Sequence, residues 1–120
     1  MARLLFMTSH GADDPERATV PFNAACAAVV SGHTVTVVCT ADAVHLGTRG
    51  GAAGVVAPGM TPVAELVDAL LDGGGSIWLC SACTGPRGIT DEDLLDGASI
   101  VGAASVVEEI TSGATSVTLT

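Results

Sequence analysis

Hydrophobic and polar positions alternate along the chain in a way that predicts strands and helices in turn. Residues 3–8 form a short apolar run that ends in a polar loop, which is typical of a buried strand. Asp14 and Pro15 then predict the start of a helix, because Asp is a favoured N-cap and Pro suits the first helical position. The apolar residues of that helix recur at helical spacing up to Gly32, and they are Ala18, Phe22, Ala25, Cys26 and Val29.

The same alternation continues to the end of the chain. We predict strands over residues 33–39, 76–80, 99–101 and 116–119, and helices or helical turns over 41–46, 62–72 (with Thr61 as the cap), 90–93 and 103–110. Strands that alternate with helices are typical of a mostly parallel sheet covered on both faces. We therefore expect one α/β domain over residues 1–120, a three-layer α/β/α sandwich with a five-stranded, mostly parallel sheet of flavodoxin-like type.

Ligands of such sheets bind at the carboxyl ends of the strands. This rule directs attention to residues 8–14, 39–46 and 80–88, which follow the first three predicted strands. The glycine-rich segment 47–59 follows no predicted strand and lacks the spacing of a dinucleotide-binding fingerprint. We predict that it is a flexible loop and a candidate lid.

The charge of the chain excludes several classes of function. The four basic residues are all Arg, and 13 acidic residues bring the net charge to −9. Without lysine there is no lysine Schiff base and no P-loop lysine, and the negative charge opposes nucleic acids and anionic membranes. No apolar run approaches the roughly 20 residues of a membrane-spanning helix. We expect a cytoplasmic protein whose four cysteines are thiols.

Cys80 is the strongest candidate for chemistry, because it lies where a buried strand meets a loop. A thiol at such a position is partly exposed, and the nearby Arg87 is of the charge that stabilises a thiolate. Cys83 completes a C-x-x-C pair with Cys80, a spacing that serves a redox dithiol, half of a zinc site, or a nucleophile with an assisting neighbour. The chain offers no second such pair, so we expect no metal and no cofactor.

Other residues of these loops are weaker candidates. Cys26 lies on the apolar stripe of the first helix, where we predict core packing, and for Cys39 both a buried and a site position stay open. The polar side chains of the strand-end loops are the candidates for substrate binding, and they are Ser9, His10, Asp42, His45, Ser81 and Thr84.

Several of these segments together resemble the DsrE/DsrF-like family of small α/β proteins, which includes sulfur-relay subunits. The similar segments are the loop and helix Thr-Ser-x-Gly-x-Asp-Asp-Pro-Glu-Arg-Ala (residues 8–18), the Gly-His-x-Val-x-Val strand, and Asp-Ala-Val-His-Leu (42–46). The most specific is Cys-Ser-Ala-Cys-Thr-Gly-Pro-Arg-Gly-Ile (80–89), and Ile-Val-Gly-Ala (100–103) also fits. The resemblance covers nearly the whole chain and implies a DsrEFH-like, flavodoxin-like fold.

The resemblance also implies a function. In sulfur-relay members the first Cys of that loop accepts a persulfide sulfur and passes it to a partner thiol, and here that residue is Cys80. Cys83 would assist or resolve the persulfide, and Arg87 would stabilise the anionic sulfur. The family further implies a homo-oligomer, such as a trimer or hexamer, or a dimer, that works with sulfur donor and acceptor proteins. Two alternatives stay open, a non-catalytic ligand-binding or scaffold subunit and a Cys80–Cys83 redox dithiol.

Overall fold

Five parallel strands form the centre of the molecule in the computed structural model, which describes residues 1–119. They are β1 (Arg3–Thr8), β2 (Thr34–Cys39), β3 (Ser76–Cys80), β4 (Ala98–Val101) and β5 (Thr115–Thr118). Their order across the sheet is β4-β3-β2-β1-β5, and all four pairings are parallel. The predicted α/β class and flavodoxin-like sheet are confirmed, and the sheet is parallel throughout rather than mostly so.

Four helices and three short 3₁₀ turns connect the strands. The helices are α1 (Pro15–Val30), α2 (Val63–Asp72), α3 (Ser81–Thr84) and α4 (Ala103–Thr111), and the 3₁₀ turns are Ala41–Gly47, Gly85–Arg87 and Asp91–Asp93. Asp14 caps α1 as predicted, since its side chain accepts the Arg17 N–H at 3.1 Å. The loop predicted after β3 contains one turn of α-helix, α3, which ends before Gly85 and Pro86.

The two faces of the sheet are covered unequally. The face toward α1 and α2 holds the main core, where Phe6, Phe22, Val37 and Leu79 are buried. The opposite face, which we call the α4 face, carries a small cluster around Leu5 and Val38 against which Met7, Trp78 and Val106 pack. Within the described part of the chain, no residue of α4 is itself buried. The α4 face is therefore the thinly covered side of the sandwich.

The segment 47–59 is packed, so the prediction of a flexible lid is wrong. Ala52, Val55 and Ala57 are buried, and Val55 also accepts a backbone hydrogen bond from Val63 at 3.1 Å. Thr48 forms a bridge with Leu94 on the neighbouring loop. The small side chains that suggest flexibility in the sequence instead allow the backbone to approach the core closely.

Thr8, at the end of β1, carries a buried hydroxyl without a partner. Its side chain is 3% exposed, and its Oγ1 makes no hydrogen bond within residues 1–119. Such an unpaired hydroxyl destabilises the folded state, so the isosteric Thr8→Val is expected to raise the free energy of unfolding by about 1 kcal/mol, as measured by urea denaturation. Thr19 is the matched control, because it is 1% exposed but donates to the Pro15 carbonyl at 2.6 Å. Thr19→Val is expected to lower the same free energy, and a loss at both positions would contradict the assignment.

Candidate functional site

Cys80 lies at the carboxyl end of β3 and is the N-cap residue of α3. Leu79 points into the main core, so the alternation of the strand places Cys80 on the α4 face. Cys80 is half-buried and lines a cleft of about 200 Å³. Among residues 1–119, no group hydrogen-bonds to its sulfur. The strongest sequence candidate is thus a free thiol beside an open cavity.

The other three thiols are engaged or sealed. Cys26 donates from its sulfur to the Leu66 carbonyl at 3.2 Å, and burial raises the pKa of this thiol. Cys39 is 0% exposed, and complete burial raises the pKa of its thiol far above the usual range. The sulfur of Cys83 accepts the Ala41 N–H at 3.1 Å. Among residues 1–119, Cys80 is therefore the one cysteine whose sulfur is neither fully buried nor hydrogen-bonded.

Two hydrogen bonds join the cysteine loop to the turn that follows β2, a third lies within the loop, and we call the three together the latch. Besides the bond from Ala41 to Cys83, Arg87 donates to the Asp42 carboxylate at 3.1 Å and to the Cys83 carbonyl at 3.2 Å. Ala41 has φ +48°, a left-handed conformation that costs a non-glycine residue about 1–2 kcal/mol. The latch holds that strained turn against the loop that carries Cys80.

The latch determines which groups Cys83 and Arg87 contact in this conformation. Cys83 packs against the main core, whereas Cys80 belongs to the α4 face, and both are free thiols. Within the described residues, Arg87 has Asp42 and Cys83 as its hydrogen-bond partners and makes no such contact with the Cys80 sulfur. In this conformation both residues contact the turn at Ala41 and Asp42.

His10 is held within its own loop. Its Nδ1 lies 2.9 Å from Asp13 Oδ2, and the other oxygen of Asp13 accepts the Gly11 N–H at 2.7 Å. The Gly11 hydrogen bond, together with His10, lowers the pKa of the Asp13 carboxyl. The hydrogen bonds of Asp13 with His10 and Gly11 thus fix the β1–α1 connection. This connection lies close to the turn at Asp42, since a Cβ on Gly11 would be 2.7 Å from the Asp42 carbonyl oxygen.

The remaining candidates for substrate binding are dispersed. Ser9 lines a recess of about 170 Å³ that shares Met7 and Thr40 with the cleft at Cys80. His45 is exposed on its 3₁₀ turn, and its ring makes no hydrogen bond within residues 1–119. Ser81 is exposed, whereas Thr84 is buried and donates to the Ser81 carbonyl at 3.3 Å. Of the candidates outside the cysteine loop, Ser9 and Asp42 therefore have a direct structural link to its surroundings among the described residues.

Sequence reasoning missed the apolar side of the site. The cleft at Cys80 is formed by strand-end residues Met7 and Val38, by Val101 on β4, and by Val106 and Val107 of α4. The sequence does show an apolar run around the start of α4. Its closeness to Cys80 follows only from the pairing of β4 with β3, which no local pattern indicates.

Among the described residues no three metal-binding side chains come together. No helix among residues 1–119 has the length and apolar character to cross a bilayer.

Comparisons with known proteins agree with this architecture. The YchN protein of E. coli has a similar structure, with a TM-score of 0.81 and 22% identity over 99% of this chain and 100% of that one. MTH1491 of Methanobacterium thermoautotrophicum, a protein of unknown function, is similar with a TM-score of 0.78 and 20% identity over 99% of this chain and 100% of its own. No curated protein matches the sequence. The family model of the DsrE/DsrF-like proteins matches residues 2–119, and the chain belongs to that family.

Proposed function

We propose that the protein is a sulfur carrier that accepts a persulfide sulfur on Cys80 and passes it to the thiol of a partner protein. The observation that carries this proposal is the isolation of Cys80, since it is the one cysteine whose sulfur is neither sealed nor hydrogen-bonded within residues 1–119. Membership of the DsrE/DsrF-like family, which includes sulfur-relay subunits, is consistent with this role. The activity is that of a sulfurtransferase.

In the accepting step, the Cys80 thiolate attacks the outer sulfur of a donor persulfide, R–S–SH. An S–S bond forms at Cys80, the S–S bond of the donor breaks, and R–S⁻ leaves with the electron pair. In the delivering step, an acceptor thiolate attacks the outer sulfur on Cys80, and the Cys80 thiolate is released. Neither step consumes an oxidant or a reductant.

The latch contributes by holding the nucleophile in place. Arg87 and Cys83 fix the loop that follows Cys80 against the turn at Ala41 and Asp42. A loop that is fixed before the reaction loses less conformational freedom when the sulfur is transferred. In this proposal Arg87 acts through the loop, and Cys83 is an anchor.

The proposal predicts that sulfur loads on Cys80 alone. Intact mass after incubation with propyl persulfide or glutathione persulfide should rise by about 32 Da per sulfur, and reductant should reverse the gain. Cys80→Ser should show no gain, whereas the matched Cys83→Ser, whose hydroxyl can still accept the Ala41 N–H, should load like the wild type.

Three outcomes would count against sulfur transfer. Equal loading of Cys80→Ser would place the sulfur on another thiol. A loss of about 2 Da in the wild type would indicate a Cys80–Cys83 redox pair. Absence of any gain with both donors would favour a non-catalytic ligand-binding subunit, for which the cleft at Cys80 would be the binding site.

We further propose that the chain forms a homo-oligomer through α4. Val107 is 58% exposed and Ile110 38% exposed on this helix. Of the two carboxylates of α4, Glu109 is paired with Arg3 at 3.7 Å and Glu108 is exposed, so a second copy would be held by the apolar side chains of this surface. Light scattering should return a multiple of the 11.8 kDa chain mass, and a monomer would overturn the assembly.

A further inference from the structure

The cleft beside Cys80 is apolar and uncharged. Its walls include Met7 and Val38 from the sheet, Val101 from β4, and Val106 and Val107 from α4, and Thr40 also lines it. Among residues 1–119, no charged residue lines it. At about 200 Å³ the cleft is too small for a folded segment of a partner, and it matches a substituent of a few carbon atoms.

The basic residues of the protein give no help to an anion in this cleft. Arg3 pairs with Glu109, Arg17 with Asp14, and Arg87 with Asp42, while Arg49 donates to the carbonyls of Glu92 and Leu94. The whole chain carries −9, which repels small anions. An anionic donor would thus approach Cys80 against the net charge of the chain and without an arginine to pair with it.

We infer that the cleft beside Cys80 binds a small, uncharged, apolar carbon group, which on the proposed function is the group that carries the sulfur. The inference rests on the proposed function for its biological meaning, but it concerns recognition of the carbon group rather than transfer of the sulfur. Each methylene buried in such a site strengthens the complex roughly fourfold. The preferred donors are therefore small alkyl sulfur compounds, in preference to thiosulfate or the charged peptide glutathione.

Methanethiosulfonate reagents, CH₃SO₂–S–R, test recognition of R separately from sulfur loading. The Cys80 thiolate attacks the sulfur that bears R, a mixed disulfide forms, and methanesulfinate leaves with the electron pair. The rates for R = methyl, propyl, 2-sulfonatoethyl and 2-(trimethylammonio)ethyl are followed by intact mass on the full chain. Each rate is divided by that of N-acetylcysteine with the same reagent, and Cys80→Ser identifies the label that belongs to Cys80.

The propyl reagent should react at least tenfold faster than the methyl and both charged reagents after this correction, because two more methylenes are buried. Ala103→Leu places a side chain in the cleft and should abolish the preference. Ala104→Leu, at the next residue of α4, which is also exposed, does not change a residue that lines the cleft and should keep the preference.

Two results would overturn the inference. One is an equal or faster corrected rate for the sulfonate reagent, and the other is a preference for propyl that survives Ala103→Leu. If a side chain of a second copy fills the cleft instead, the wild type shows no preference, which also overturns it. Apolar preference without persulfide loading would leave this inference standing while the proposed transfer fails, so the two failures are distinguishable.

Discussion

Gly51→Ala is expected to lower the free energy of unfolding by at least about 3 kcal/mol. A Cβ on Gly51 would overlap the carbonyl oxygen of His45 and the hydroxyl of Thr48. Neither atom can retreat cheaply, because the Thr48 hydroxyl donates to that same carbonyl at 2.7 Å and the Gly51 N–H donates to the Thr48 carbonyl at 3.1 Å. Urea denaturation followed by the fluorescence of Trp78, the single tryptophan, measures the loss.

Gly54→Ala is the control for the same segment. Gly54 has φ +78°, and its added Cβ would meet no atom within 4 Å. Its cost is therefore the left-handed backbone alone, about 1 kcal/mol. If Gly51→Ala cost no more than Gly54→Ala, the segment 47–59 would not be packed against the 3₁₀ turn at His45 as described.

Cys39 should be modified by iodoacetamide at least about a thousandfold more slowly than Cys80. Cys39 is completely buried and its pKa is raised, so its thiolate is exposed only when the protein opens. Cys80 lines an open cleft and needs no such opening. This difference in labelling rate tests whether Cys39 is inaccessible, which is one of the observations on which the proposed function depends.

The four arginines allow a clean measurement. In the double variant Cys26→Ser/Cys83→Ser, cleavage after arginine leaves Cys39 in the fragment 18–49 and Cys80 in the fragment 50–87. The time course of labelling is then read from each fragment by mass. In denaturant the two thiols should react at similar rates, and similar rates in the native protein would show that Cys39 is accessible.

Much of the fold follows from local signals in the sequence. The strand over residues 3–8 and the start of α1 at Pro15 coincide with the prediction, because short apolar runs and an Asp-Pro cap act within a few residues. Cys80 was placed correctly at the end of β3 for the same reason. Which residues lie next to Cys80 could be inferred only from the rule that parallel strands have their carboxyl ends at the same edge of the sheet.

The rest of the site depends on contacts between distant residues. Arg87 and Asp42 are 45 positions apart, and Ala41 and Cys83 are 42 apart, so no local pattern announces the latch. The packing of 47–59 has the same origin. Glycine and alanine are typical of mobile loops, but the burial of Val55 in the core packs this segment against the rest of the protein. The cleft was missed because α4 crosses the sheet face that Cys80 reaches.

The thin cover of the α4 face has a consequence for local opening of the protein. Local opening costs least where few apolar side chains are buried, and α4 buries none of its residues within the described chain. The amides of α4 and of the edge strand β5 should therefore exchange with solvent through small excursions, while those of β1 and β2 exchange only on global unfolding. In the single chain the wall of the cleft thus belongs to the part that opens first, and an assembly that covers α4 would suppress these excursions.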